Sequence, residues 1–242
     1  MSKYLSWNTK KIDDFSNQTI NNLYNEGYVF TRIGRGVMNQ TRSVRIDLDE
    51  FELSSENRRI LKKTGDWRLE IGDLPYEDYA WQIGKMAKDF YDEKFGKGIF
   101  SANKVKELMT TNKGNFNTLF AYVIPSPVPN EVRDLGEESR RSTAITNSNT
   151  IGYCIALETN KIIHYSYPFY QLQISNHRLP NVGMGMMLKA ILYAKENNKK
   201  YIYLGSAQRP GDKYKLQFKG LEWFDGDKWS DDLGGLKKNL KE

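Results

Sequence analysis

The stretch that most constrains this chain runs from Asn181 to Gly205. It reads Asn-Val-Gly-Met-Gly-Met-Met-Leu from Asn181, continues as an apolar helix over about Met184 to Asn197, and ends in a short β segment, Tyr201-Ile-Tyr-Leu-Gly205. Pro180 fixes the entry of the backbone into that helix. Gly183 and Gly185, at the helix start, let backbone N–H groups approach a ligand with no Cβ in the way. The helix dipole favours an anion at this end, and the run Lys195 to Lys200 puts cations at the other. A phosphate-rich group-transfer donor suits such a site, with Asn181, Gly183, Met184 and Gly185 as its binding residues. A glycine-containing loop before an ordinary core helix gives the same string.

Elsewhere the pattern alternates between helix and strand. Residues 8–26 read as a helix capped by Asp13 or Asp14, with Phe15, Ile20, Leu23 and Tyr24 as its apolar face and Gly27 as its stop. Tyr28 to Ile33 reads as a strand. In the segment 41–51, Val44, Ile46 and Leu48 alternate with Arg45, Asp47 and Asp49, the period of a half-buried strand. Ser54 caps a following helix that carries Arg58, Arg59, Lys62 and Lys63 on one broad face. Those cations suit a polyanion; a solvated surface helix carries the same charges. Residues 68–73 read as a strand, 75–95 and 101–111 as helices, and 116–124 as a strand. The stretch 125–141 looks like an exposed loop. Residues 142–157 and 161–170 then form a hairpin around Glu158-Thr-Asn160. Pro168 points to a strand end or an edge. Residues 215–224 read as a last β segment, Asp225-Gly-Asp227 as a turn, and 230–241 as a polar terminal helix.

Composition bounds the function class. The chain has 242 residues and a formal net charge of +6, a moderate lean toward polyanions. Its single cysteine, Cys154, lies in an apolar run and reads as core. With one cysteine there is no internal disulfide and no cysteine cluster, so no metal site is expected. Neither an 18-residue apolar run nor an apolar segment after Met1 is present, and the expectation is a soluble cytoplasmic protein.

Antiparallel strands, then a Gly-Met-Gly helix, then a strand is the order of the GNAT acyltransferase fold. The expected class is α+β: a mixed, mostly antiparallel sheet flanked by helices over residues 113–242, with an N-terminal α/β region over 1–112. Three segments, in order, resemble the arginyl-tRNA–protein transferases. They are Leu23-Tyr-Asn-Glu-Gly-Tyr28 with the Arg45 to Arg59 stretch; His164-Tyr-Ser-Tyr-Pro-Phe-Tyr170; and Tyr201 to Gly205 with Lys213-Tyr-Lys-Leu-Gln-Phe-Lys-Gly220. The family's cysteine-rich motif has no counterpart, because residues 33–40 contain no cysteine.

The resemblance implies attack by a peptide or protein α-amine on the ester of a charged tRNA, with arginine or leucine as the amino acid moved. Aminoacyl-tRNA is then a co-substrate and no bound cofactor is needed. Gly183 and Gly185 would hold the 3′-terminal phosphates, and Arg58, Arg59, Lys62 and Lys63 the tRNA backbone. Tyr167, Phe169 and Tyr203 are candidates to stack on the terminal adenosine or the aminoacyl group; core packing explains them equally. Tyr203 or Ser206 would donate to the leaving hydroxyl. Arg42, Arg45 and Lys219 would grip an acidic acceptor. His164 and His177 are the tempting bases, His164 fitting a structural role and His177 a solvated one. Two rival readings share the sequence: a GNAT N-acyltransferase using acetyl-coenzyme A, and a tRNA-binding module without turnover.

Overall fold

The computed structural model describes residues 5–125, 149–172 and 181–240. Within them the elements run in chain order as β1 (Asn8–Lys11), α1 (Asn17–Asn25), β2 (Tyr28–Phe30), β3 (Val37–Gln40), β4 (Ser43–Asp47), α2 (Ser55–Lys63), β5 (Arg68–Asp73), α3 (Trp81–Phe95) and α4 (Ala102–Thr110). The second half adds β6 (Thr118–Val123), β7 (Thr150–Glu158), β8 (Ile162–Tyr170), α5 (Val182–Glu196), β9 (Tyr201–Ser206), a 3-10 helix (Pro210–Gln217), β10 (Leu221–Phe224), β11 (Trp229–Ser230) and α6 (Leu233–Asn239).

Eight strands form one sheet in the order β11-β10-β4-β9-β8-β7-β6-β5, and β1-β3-β2 form a small second sheet. Every pairing in the large sheet is antiparallel except β8 with β9. This is the mixed, mostly antiparallel, helix-flanked sheet expected of the chain. β4 and β5, from the first 112 residues, lie in the same sheet as the later strands.

Both faces of this sheet are covered. Ile163, Tyr165, Ile202 and Leu204 point to a core shared with Met186, Leu188 and Ile191 of α5. Ile162, Phe169 and Tyr203 point to the opposite core, built with Tyr24 of α1, Phe90 of α3 and Leu108 of α4. Coverage on both faces explains why β6 and nearly all of β7 are buried rather than alternating. It also explains why β4 is not half-exposed: Arg45 is buried along with Val44 and Ile46. α5 is apolar on almost every side because β8, β9 and α2 surround it.

Several boundaries differ from the sequence reading, each for a local reason. Residues 8–11 are a strand, held to β3 from Asn8↔Gln40 to Lys11↔Val37, so α1 begins only at Asn17. Its cap is Ser16, whose hydroxyl accepts from Thr19 N, while Asp14 accepts from Ser16. α3 begins at Trp81, not at Pro75, because Tyr76 N–H is tied to Met109 O of α4 at 2.6 Å. The last β segment begins at Leu221 and not at Lys215, because residues 210–217 form a 3-10 helix: Asp212 accepts from the backbone N–H of Gln208 and of Arg209, both at 3.0 Å, and curls the chain. The expected loop at 126–141, the start of the strand at 142–148, and His177, Arg178 and Pro180 lie outside the described residues.

Candidate functional site: the opening between β8 and β9

The two parallel strands separate. β8 and β9 are in register at Ile162↔Tyr201, Ile163↔Ile202 and His164↔Tyr203, and at no later position. Both strands continue past that last rung, β8 to Tyr170 and β9 to Ser206. On its other side β8 stays bonded to β7, but the register slips: Ile155 opposes Tyr167 and Ala156 opposes Tyr165, leaving Ser166 as an extra residue. A bulge bends its strand and interrupts pairing. Here it coincides with the loss of β9, so one wall of a cleft runs from Ser166 to Tyr170 and the other from Leu204 to Ser206. The missing partner on the β9 side also explains how Pro168 is tolerated.

α5 begins beside this cleft. Its N-cap, Asn181, is left-handed at φ 62°, and its first residues are Val182, Gly183, Met184 and Gly185. The N–H groups of a first turn have no acceptor within their own helix. The two glycines do different work. A Cβ on Gly183 would stand 3.1 Å from the Tyr170 ring on the cleft wall. A Cβ on Gly185 would stand 2.7 Å from Thr64 Cγ2 and 3.1 Å from Trp67. Gly185 is therefore where the C-terminal end of α2 packs on α5, and Gly183 is the one that faces the opening. The same packing brings the basic helix beside the start of α5. Of its cations, Arg59 is held by Glu56 through two bonds of 2.6 and 2.5 Å, and Arg58 donates to Leu53 O at 2.7 Å. All four basic side chains are on exposed residues.

At the last rung, His164 and Tyr203 point into the core and away from solvent. The Tyr24 hydroxyl lies 2.9 Å from His164 Nδ1 and accepts from Phe30 N–H at 3.2 Å. All three groups are satisfied when Tyr24 donates to Nδ1, which puts the imidazole proton on Nε2. Burial, helped by the nearby Lys215 charge, holds the His164 pKa down at about 3. The ring is neutral and its basic nitrogen is occupied, the environment of a structural histidine. Tyr203 is fully buried, its hydroxyl 3.2 Å from Arg45 Nη1, and burial pushes its pKa up to about 12. Ser206 ends the β9 wall, and its carbonyl accepts from Lys215 Nζ at 2.8 Å.

Lys215 is the residue the sequence reading missed. It is 6% exposed, carries an ammonium 3.4 Å from Asp212, and has its pKa lowered by burial despite that carboxylate. Its ammonium has three N–H directions; Ser206 and Asp212 take two. A buried lysine at the mouth of a cleft can stabilise a negative charge that forms there. In the sequence Lys215 stood only as the first residue of the last β segment and within the Lys213–Gly220 stretch of the family resemblance, and neither gave it a role.

Each of the residues expected to hold an acceptor has a partner within the chain. Arg45 is paired with Glu222 at 2.7 Å, bonds Asn25 at 2.8 Å, and is sandwiched between Tyr201 and Trp229 at 3.7 and 4.0 Å. Lys219 pairs with Glu52 at 2.9 Å. Arg42 donates to Asn239 O of α6 at 3.4 Å. Of the aromatic trio, Phe169 is fully buried against Tyr153, while Tyr167 is half-buried on the cleft strand. Cys154 is buried, and burial raises its thiol pKa well above the ordinary value, so it is held as a neutral thiol. Among the described residues, no group of three or more His, Cys, Asp or Glu side chains could hold a metal ion, and no helix is long and apolar enough to cross a membrane. A surface hollow of about 610 Å³, lined by Tyr76, Tyr79, Trp81, Asn103 and Lys106 among others, sits between α3 and α4 and shares no residue with the cleft.

No protein-family model and no curated protein matches this chain. Among solved structures, L-PGS from Bacillus licheniformis aligns at 12% identity and TM-score 0.43 over 78% of this chain and 52% of that one. The C-terminal domain of a protein named as a lysylphosphatidylglycerol synthetase from Agrobacterium fabrum aligns at 11% identity and TM-score 0.43, over 69% and 46%. A GCN5-related glucosamine N-acetyltransferase region of a fungal β-N-acetylglucosaminidase aligns at 8% identity and TM-score 0.42, over 88% and 22%. The chain spans about half the length of the first two chains and less of the third.

Proposed function

We propose that the chain is an aminoacyltransferase that moves an amino acid from a charged tRNA to the α-amine of a peptide or protein. The observation that carries this reading is that the β8–β9 opening is flanked on the β8 side by the glycine-bearing start of α5, through Gly183 against Tyr170, and on the β9 side by the buried Lys215 ammonium, through the Ser206 carbonyl. The opening admits an extended acyl group between two strands. The first turn of α5 offers N–H groups and a favourable dipole end to the phosphates of a nucleotide terminus. The exposed cations of α2 continue that positive surface outward along a nucleic-acid backbone.

The chemistry needs no covalent intermediate, because the ester is already activated. An α-amine, with a pKa of roughly 7.7–8.0, is partly neutral near pH 7 and attacks the ester carbonyl. The new C–N bond forms and the carbonyl oxygen becomes an oxyanion within reach of the Lys215 ammonium. Collapse breaks the C–O bond to the ribose, and the ribose oxygen takes the proton released by the amine. Ser206, at the end of the β9 wall, is placed to relay that proton. The tyrosine proposed for the same step, Tyr203, is turned toward Arg45 and supports the cleft floor.

The test is a transfer assay. Purified protein is incubated with mixed radiolabelled charged tRNAs and peptides with different first residues, and in a second tube with labelled acetyl-coenzyme A. Label passing from tRNA to a peptide amine supports the proposal. Label passing only from acetyl-coenzyme A replaces it with an N-acyltransferase, and retention of tRNA with no transfer replaces it with a binding module.

A further inference from the structure

The surface hollow of about 610 Å³ between α3 and α4 is preformed. The segment 75–79, which makes one side of it, is fixed at three points. Leu74 N–H donates to Asn117 O at 2.9 Å, Tyr76 N–H donates to Met109 O of α4 at 2.6 Å, and the Tyr79 hydroxyl accepts from the backbone N–H of Gly84 in α3. Gly84 permits the last contact, because a Cβ there would stand in the place of the Tyr79 hydroxyl. Three aromatic rings line the hollow: Tyr76 is buried, Tyr79 is half-buried, and Trp81 is 68% exposed, more than Trp7, Phe95 or Tyr214. Tyr79 packs against the core beneath it, whereas Trp81 belongs to neither core. With Pro75 and Tyr79, Trp81 therefore forms a connected apolar surface at the rim of a rigid hollow, the mark of a contact site.

The polar groups of the same hollow are uncommitted. Trp81 Nε1, the Asn103 amide, the Lys106 ammonium and the Glu77 carboxylate have no hydrogen bond or ion pair among the described residues. Three of the four can donate, and only the carboxylate is limited to accepting. The complementary occupant has rings to bury, carbonyls to offer and few N–H groups. A proline-rich segment in the polyproline II conformation has that chemistry: its backbone makes no internal hydrogen bonds, its carbonyls are all free, and its prolines carry no N–H. We propose that the hollow docks a proline-rich segment of a partner protein. Its proline rings sit against Tyr79 and Trp81, its carbonyls accept from Trp81 Nε1, Asn103 and Lys106, and a basic residue beside the prolines pairs with Glu77. A nucleic-acid strand stacked on Trp81 could pair a phosphate with Lys106 but would bring its other phosphates up to the Glu77 carboxylate. Both partners enter the complex already shaped, which keeps the ordering cost low. The hollow shares no residue with the cleft, so the proposal goes beyond the transfer reading and does not depend on it.

The experiment is a calorimetric titration of the full chain with three short peptides. One carries two Pro-x-x-Pro repeats with an arginine beside them, the second has alanine at every proline, and the third has glutamine in place of the arginine. A single-stranded oligoadenylate is titrated in parallel. The proteins are the wild type, Trp81→Ala and Glu77→Gln, both substitutions being at exposed positions where folding is not at risk. The wild type is expected to bind the first peptide about tenfold or more tightly than the alanine peptide, and Trp81→Ala to lose about tenfold or more of that affinity, the scale of an interface tryptophan. Glu77→Gln is expected to bind the arginine and glutamine peptides equally, while the wild type prefers arginine. Equal binding of the proline and alanine peptides overturns the proposal, as does proline-dependent binding that Trp81→Ala leaves unchanged, or no binding of any peptide at about 1 mM. Trp81-dependent binding of the oligoadenylate, with none of the peptides, overturns it in favour of a single-stranded nucleic acid. Failure of every transfer assay leaves these outcomes standing, because none of them reads the cleft.

Discussion

Tyr24 and His164, 140 positions apart, meet at 2.9 Å beneath the last rung of the β8–β9 pair. The contact ties α1 to the floor of the cleft, where burial, and after it the Lys215 charge, keeps the imidazole neutral. It gives the first prediction. The folded His164 titrates at about 3, well below the ordinary value of 6.5. As pH falls from 6.5 toward 3, the unfolded chain takes up a proton that the folded one refuses. Stability is therefore full above pH 6.5 and declines below it, with a slope of ~1.4 kcal/mol per pH unit from this residue. Denaturant melts of wild type and His164→Gln at several pH values should show that slope only in the wild type. Parallel pH dependence in both proteins contradicts the assignment.

Lys215 should matter to both activity and folding. Lys215→Met keeps the length of the stem but breaks the buried pair with Asp212 and the bond to the Ser206 carbonyl, which should cost up to about 3–5 kcal/mol, so kcat is read on the fraction that stays folded. Transfer should fall by about 100-fold or more, as for other preorganised oxyanion donors. The ammonium acts as a cation and its pKa is lowered, so its contribution to kcat should be present at low pH and disappear as pH rises through the lowered pKa, earlier than for an ordinary lysine. An unchanged kcat in Lys215→Met, with the protein folded, removes Lys215 from the mechanism.

The two glycines of α5 should separate cleanly. Gly185→Ala brings a Cβ within 2.7 Å of Thr64 Cγ2, and overpacking of this kind costs about 1–3 kcal/mol. Gly183→Ala meets only the Tyr170 ring at 3.1 Å, so it should melt near the wild type and lose donor binding. Thermal melts with KM for charged tRNA check both. Equal melting losses at the two positions would refute the division of labour.

These cases show how much of the molecule the sequence carried. Long, strongly patterned elements were legible: α2 with its Ser54 cap, α5, β5 and the β7–β8 hairpin all occur where periodicity and turn chemistry put them. Elements decided by distant partners were not. β1 is polar and exists because β3 pairs with it, and the 3-10 helix exists because Asp212 and Lys215 reach back to Gln208, Arg209 and Ser206. For the site, the glycine-bearing helix start was readable from local spacing. The role of Arg45 was not, because Glu222, Asn25, Tyr201 and Trp229 arrive from four separate segments. Lys215 became visible only through its burial.

Arg45 supplies a stability prediction that separates it from acceptor binding. Arg45→Met strands Glu222 and loses the stacked guanidinium, which should cost ~3–5 kcal/mol. KM for the acceptor in the remaining folded protein should be unchanged. A KM increase without loss of stability would return Arg45 to the acceptor site.

The basic helix should act through salt-dependent affinity alone. Replacing Lys62 and Lys63 with Gln removes two exposed cations, each expected to reduce the slope of log K against log salt by about 0.7–0.9 for tRNA binding. The kcat at saturating tRNA should not move. A slope that matches the wild type places the tRNA backbone elsewhere.

The central claim is that the opening between β8 and β9 is where the acyl group sits. The most direct measurement is a crystal structure of the protein with a stable amide analogue of an aminoacyl-adenosine terminus. The expected density places the acyl carbonyl between the Ser166–Tyr170 wall and Ser206, within hydrogen-bond distance of Lys215 Nζ, with the nucleotide toward Gly183. An analogue bound instead in the hollow at Tyr79 and Trp81, or absent from the opening at saturating concentration, contradicts the account.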